Sequence, residues 1–260
     1  MALQLLRHAL VSLLVVAVHA AGATRAGGDM HHLQMVTSTA GTARAVASCA
    51  SWRLGVETNN IRDWYSIPAE CRSYVRDYMY GDLFRQDCAV VAGEAAAYAE
   101  GLELAGDGEE VWVFDVDDTT LTNLPYYADT GFGAEPYNAT YFDEYVANAT
   151  APALPEVLEL YEKLLSLGIK VVFITGRHDD EEAATVKNLR SAGYHTWEKL
   201  VLKPSSLGSS VVPYKSGERQ KLVDAGYRIV GNMGDQWSDL TGAPEGDRTF
   251  KVPDPMYYVG

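Results

Sequence analysis

From residue 107 onward the chain alternates short β-branched apolar runs with segments whose apolar residues recur at helical spacing. Val111 to Phe114 reads as a strand, Leu154 to Ser166 as a helix closed by Gly168, and Ile169 to Ile174 as a second strand. Glu181 to Ala192 reads as a helix ended by Gly193, Lys199 to Leu202 as a strand, Glu218 to Ala225 as a helix and Arg228 to Val230 as a strand. Alternation of this kind predicts βαβ units with right-handed crossovers, hence an α/β fold on a parallel sheet. Val171 to Ile174 is apolar at every position, as a strand buried on both faces must be.

The pattern ahead of residue 107 is different. Cys71, Tyr74, Val75, Tyr78 and Met79 fall at helical spacing, and the alanine-rich run Val90 to Glu100 has high helix propensity, so residues 46–106 read as a helical region packed on the core. Residues 21–45 are small and polar, a flexible leader. Before them, Arg7 precedes an apolar run from Ala9 to Val18 and then small residues, the grammar of a signal peptide over residues 1–20. Val18-His19-Ala20 and Ala21-Gly22-Ala23 both offer a cleavage site, which places the cut between residues 20 and 26. The run is too short for a hydrocarbon core of about 30 Å, and no later segment is long and apolar enough to span one, so no membrane partner is expected. The triplets Asn138-Ala139-Thr140 and Asn148-Ala149-Thr150 are glycosylation sequons, in keeping with the secretory route and a vacuolar or extracellular destination.

A formal net charge of −14 excludes nucleic acid as the expected partner, because phosphate backbones are bound by clustered Lys and Arg. An acidic chain that handles phosphate must instead concentrate positive charge in one pocket. Three cysteines, Cys49, Cys71 and Cys88, leave one unpaired if a disulfide forms, and none has zinc-site spacing. Of the six His, only His178 and His195 lie beyond the leader, too few for a histidine-based triad or metal cage.

In doubly wound sheets, ligands bind at the carboxyl ends of the strands, and the polar residues of this chain collect there. The first strand delivers Asp115 and Asp117, the second Thr175-Gly176-Arg177, and the last Gly234-Asp235-Gln236-Trp237-Ser238-Asp239, with Lys215 placed just before the preceding helix. Each residue also has a plainer reading. Two aspartates at a strand end can simply cap a turn. Thr175 can cap the following helix. Lys203 competes with Lys215 as an anion-binding lysine, Arg177 can assist the site or lie on the surface, and Asp118, Asp179 and Asp180 read as solvated or N-capping. His178 reads as a helix-start residue and His195, with Trp197, as a packing residue. A calcium loop starting at Asp115 is rejected, since it needs Gly and Glu where Thr120 and Tyr126 stand.

The ordered set of DxDxT, an apolar strand ending in Thr, a lysine, and GDxxxD resembles the haloacid dehalogenase superfamily of phosphotransferases. "CASWRLGVETNN" at 49–60, "IPAECRSYVRDYM" at 67–79, "LTNLPYY" at 121–127, "FITGR" at 173–177, "GNMGDQWSDL" at 231–240 and the tail "FKVPDPMYYVG" look like the plant acid phosphatases and vegetative storage proteins. The resemblance implies a Rossmann-like three-layer α/β catalytic domain over residues 107–260, with little or no cap. Between Thr120 and Gly168 the chain holds one helix and an aromatic loop, Tyr126, Tyr127, Phe132, Tyr137, Tyr141 and Phe142, whose rings can either overhang the site or join the core.

Asp115 is then the nucleophile that takes the phosphoryl group, and Asp117 the acid and later the base. Carboxylates about 4 Å apart repel by roughly 4 kcal/mol at an effective dielectric near 20, which leads us to expect a protonated Asp117 at mildly acidic pH. Mg²⁺ suits the Asp115 carboxylate, the backbone carbonyl of Asp117 and the Asp235 carboxylate, with Asp239 orienting metal-bound water. The resemblance gives Thr175 and Lys215 the phosphoryl oxygens. It also pairs Cys49 with Cys71 and leaves Cys88 free or intermolecular. The expected partners are small phosphomonoesters, with a homodimer left open. The rival reading is a vegetative storage protein, a nitrogen reserve. That reading is strongest where the family's nucleophile is replaced, and here Asp115 is present. A glycosyltransferase using DxD leaves TGR and GDQWSD without a role.

Overall fold

The computed structural model describes residues 48–208 and 210–259. The expected signal peptide and leader lie outside the described residues. Five strands, β1 (Glu110–Phe114), β2 (Lys170–His178), β3 (Lys199–Lys203), β4 (Arg228–Gly234) and β5 (Thr249–Lys251), pair in the order β3-β2-β1-β4-β5, all in parallel. The α/β parallel sheet read from the alternation is therefore present. β5, only three residues long, carries too little pattern to be read in advance.

Among the described residues, three helices precede the sheet: α1 (Cys49–Glu57), α2 (Arg72–Met79) and α3 (Asp82–Glu100). Between β1 and β2 lie α4 (Leu124–Asp129), α5 (Ala139–Asn148) and α6 (Pro155–Ser166). The remaining helices are α7 (Glu182–Ser191), α8 (Val211–Asp224) and the single turn α9 (Trp237–Leu240).

Side chains of β1 alternate between the two faces of the sheet, and each face closes a separate core layer. Val111 and Val113 pack with Val172, Ile174, Ile229 and, from α8, Tyr214 and Leu222. Trp112 and Phe114 face the larger core, shared with Phe173, Met233 and Phe250 and with residues of α1, α2, α3 and α6. Trp112 stacks on Phe250 with ring centroids 5.3 Å apart. Full burial of a large apolar side chain of this kind contributes about 1.5–3 kcal/mol. β4 contributes Gly231 beneath the indole, where a Cβ would run into the ring of Trp112.

The N-terminal helices are fastened as well as packed. A disulfide joins Cys49 to Cys71, Cys88 is a buried free thiol, and Lys251 of β5 pairs with Glu57 of α1 at 2.6 Å.

Two expectations need correction. The expected aromatic loop is largely helical: Tyr126 and Tyr127 sit on α4 and Tyr141 and Phe142 on α5, with Phe132 and Tyr137 in the link between them, and Tyr126 packs against Tyr141, Phe142 and Tyr145. Asn138 caps α5 by accepting from the Tyr141 N–H. α8 begins at Val211, not Glu218, so Lys215 lies inside the helix. Pro213 looks like a breaker in the sequence, but it occupies the first turn, whose N–H groups have no helical partner.

Candidate active site

The strand order reverses between β1 and β4, and the carboxyl ends of these two neighbours carry the acidic residues. Their register ends with Phe114 beside Met233, and the Asp115 N–H donates to the Met233 carbonyl at 3.0 Å. Asp115 and Asp235 therefore leave adjacent strands side by side. Lys215 reaches in from α8 and donates from Nζ to Asp115 Oδ1 and to Asp239 Oδ1, each at 2.5 Å. The other oxygen of Asp239 accepts the Gln236 N–H at 2.9 Å, closing the turn into α9. That turn is pinned from outside by Arg219, which donates to the carbonyls of Asp239, Thr241, Gly242 and Pro244.

Asp117 points elsewhere. Its carboxylate is gripped by Arg177, from Nη2 to Oδ1 at 2.8 Å and from Nε to Oδ2 at 3.0 Å, and it accepts Asn123 Nδ2 at 2.9 Å. Burial alone would raise its pKa, but the guanidinium outweighs burial and holds it below the usual carboxylate range. The expected protonated Asp117 is therefore overturned. Repulsion from Asp115 is the smaller effect because a cation the sequence reading left open sits against the carboxylate. Arg177 is buried and also donates from Nη1 to Thr185 Oγ1, which removes its surface reading. Thr175 is fully buried, and its Oγ1 accepts the Arg177 N–H at 3.1 Å.

Asp118, expected to be solvated or capping, is buried with φ +52°. One of its oxygens accepts the Asn123 N–H at 2.8 Å, and the other has no hydrogen-bond partner. Asp254, from the tail after β5, is buried nearby and was not anticipated, because a carboxylate between two prolines in an irregular segment carries no periodic signal. The carboxylates outnumber the cations Lys215 and Arg177. Burial first, then neighbouring carboxylates, raise the pKa values of Asp118 and Asp254 and push Asp235 up to about 6. Asp115 is also raised, by burial, despite the opposing charge of Lys215.

A site short of positive charge suits a cation. Asp115, Asp235 and Asp239 bring carboxylate oxygens within 4.8 Å of one another, all buried. An all-oxygen set of this kind fits a hard divalent ion and lacks the nitrogen or sulfur that zinc sites use. Asp239, expected only behind the metal ligands, thus stands with Asp115 and Asp235, while the Asp117 carboxylate is occupied by Arg177.

Lys203 is buried at the end of β3, but Lys215 makes the contact with Asp115. His195 is exposed, with its ring edge-on to Tyr161 at 5.8 Å. His178 caps the short turn after β2, and Asp179 accepts from Ser205. Asn138 and Asn148, at the two ends of α5, are exposed. No helix among the described residues is long and apolar enough to cross a membrane.

Residues 34–260 match the family described as HAD superfamily, subfamily IIIB (Acid phosphatase). The chain is 48% identical to "Acid phosphatase 1" of Solanum lycopersicum over 212 residues, 81% of this chain and 83% of that one. It is 47% identical to "Stem 28 kDa glycoprotein" of Glycine max over 234 residues, 89% of this chain and 91% of that one. It is 45% identical to "Vegetative storage protein 1" of Arabidopsis thaliana over 214 residues, 82% of this chain and 79% of that one. Among solved structures, the class C acid phosphatase of Bacillus anthracis superposes with a TM-score of 0.61 at 23% identity, covering 72% of this chain and 85% of that one, which shows the shared fold.

Proposed function

Because the chain belongs to the subfamily IIIB acid phosphatases of the HAD superfamily, we propose that it hydrolyses small phosphomonoesters through a phosphoryl group carried on Asp115. The observation that carries this reading is the buried Asp115 at the end of β1 with Lys215 Nζ on its Oδ1 at 2.5 Å.

Asp115 attacks phosphorus in line, a P–O bond to its carboxylate forms, and the ester P–O bond breaks. Asp117 gives the departing alkoxide a proton. Water then attacks the phosphoryl group and passes a proton to Asp117, and the Asp115–phosphorus bond breaks to release orthophosphate. In the Arg177 pair Asp117 is in its base form, ready for the second half. An acidic medium supplies the proton that the first half consumes. Lys215 and Thr175 hold the phosphoryl oxygens, and Asp239 keeps the lysine aimed at Asp115.

Mg²⁺ is the cation we assign to Asp115, Asp235 and the backbone carbonyl of Asp117, with Asp239 alongside. When bound, it offsets the charge of the transferring phosphoryl group. α4 and α5 are too small for a large cap, which favours broad specificity for small esters. Passage through the secretory route to the vacuole or the cell exterior, with glycans on Asn138 and Asn148, completes the reading.

The 45% identity to a protein named for storage supports a second role as a nitrogen reserve, which catalysis does not exclude. Phosphate release from a generic phosphomonoester at about pH 5, with and without Mg²⁺, separates the two. Metal-dependent turnover that disappears in Asp115→Asn is the expected result. A folded, metal-loaded protein without turnover would leave storage as the function.

A further inference from the structure

The chain after β5 crosses the carboxyl end of β4 and is fastened along its length. Val252 N–H donates to the Gly234 carbonyl at 2.9 Å, Val259 N–H donates to Gln236 Oε1 at 3.0 Å, and Met256 N–H donates to Asp254 Oδ1 at 2.8 Å. The Tyr257 ring stacks on Tyr127 at 5.3 Å with planes 10° apart. Gly133 lies so close to the Met256 carbonyl that a Cβ has no room. From this strap the Tyr257 hydroxyl donates to Asp235 Oδ2 at 2.9 Å.

Asp235 is fully buried, and its oxygens are not equivalent. Oδ2 accepts from Tyr257 and from Gln236 Nε2 at 2.8 Å, whereas Oδ1 accepts only Thr119 Oγ1 at 3.0 Å. A carboxylate has about four lone-pair sites, so two donors fill Oδ2 and one leaves capacity on Oδ1. A phenylalanine would stack on Tyr127 equally well, so packing does not account for the hydroxyl. We infer that Tyr257 is a positioning residue whose hydroxyl fixes the Asp235 carboxylate and leaves Oδ1 as the oxygen offered to a divalent cation. The C-terminal strap thus completes the site. The inference rests on the reading of Asp235 as a metal ligand.

The test compares metal-stripped full-length mature protein with Tyr257→Phe, Tyr258→Phe and Asp235→Asn, titrated with Mg²⁺ alone in a calorimeter. Partners behind metal ligands are worth about tenfold to a hundredfold in affinity, and Tyr257→Phe is expected to raise the Mg²⁺ Kd by that much while KM for a phosphomonoester at saturating metal stays put. Tyr258, which packs on Trp64, is the control and is expected to leave the Kd unchanged. The Mg²⁺-induced rise in melting temperature, taken against each variant's own metal-free form, keeps the comparison valid if a substitution also loosens the fold. Unchanged Mg²⁺ affinity in Tyr257→Phe, with affinity lost in Asp235→Asn, would overturn the role of the hydroxyl alone. Unchanged affinity in both would remove Asp235 as a ligand and the inference with it.

Discussion

Arg177 holds both carboxylate oxygens of Asp117, with contacts of 2.8 and 3.0 Å, across 60 residues of sequence. This pair decides which protonation state of the proposed acid and base the resting site contains. A lysine keeps the charge but not the fork. Arg177→Lys is expected to lower kcat by about a hundredfold, within the range of general acid and base effects. Without the fork, the hydrogen bonds that favour the Asp117 carboxylate against burial are lost and its pKa rises. In the proposed mechanism phosphoryl transfer needs Asp117 protonated, so the alkaline limb of kcat/KM is expected to move to higher pH in the variant. A pH profile of kcat/KM checks the direction, and a shift to lower pH would contradict it.

The raised carboxyls make the metal-free protein sensitive to pH in an unusual direction. Asp235 titrates at about 6 in the fold and near 3.9 when unfolded, so the folded state binds more protons between those values. Stability is then greatest below the unfolded value and is lost as pH rises through about 6. That difference is worth about 3 kcal/mol, or about 6 to 12 °C in melting temperature for a chain of this length. Metal-stripped protein should melt higher at about pH 4 than at about pH 7, and Mg²⁺ should restore more at about pH 7. Equal melting temperatures would show that these carboxyls are not strained.

Gly234 ends β4 directly before Asp235, and a Cβ there would collide with the Asp239 side chain. Gly234→Ala should push Asp239 from Lys215 and lower kcat by at least about tenfold, with a loss of a few kcal/mol in stability. Steady-state kinetics and a denaturant melt measure both. A fully active variant would mean that the turn into α9 has slack.

The cysteines separate by access and by charge. The Cys88 thiol is buried, and burial pushes its pKa well up, so it should resist alkylation in the folded protein. Cys49 and Cys71 should label only after reduction, at a cost of about 3 kcal/mol in stability for a loop of this size. Peptide mapping after stepwise labelling reads the order. Labelling of Cys88 before unfolding would contradict its burial.

Much of the site was legible because each strand delivers its residues at its own carboxyl end. The strand is visible as an apolar run, and the residues beyond it as a break in that run. Asp115, Thr175 and Asp235 follow directly from that rule. Residues that reach the site from elsewhere were hidden. Arg177 read equally as surface, because its partner Asp117 lies in the turn beyond a different strand. Asp254 and Tyr257 arrive on an irregular strap, and Arg219 meets its four carbonyls from inside α8, where local pattern says nothing of what a long side chain touches. The helices α4 and α5 were taken for a loop because their tyrosines are as common in aromatic clusters as on helix faces.

The central claim is that phosphoryl transfer passes through Asp115. Mixing the metal-loaded protein with a phosphomonoester, quenching in acid during turnover and mapping the peptides by mass spectrometry tests it most directly. A phosphoryl group on the peptide carrying Asp115, absent in Asp115→Asn, is the result the account predicts. Turnover in wild type with the phosphoryl group on another residue, or undiminished turnover in Asp115→Asn, would contradict it.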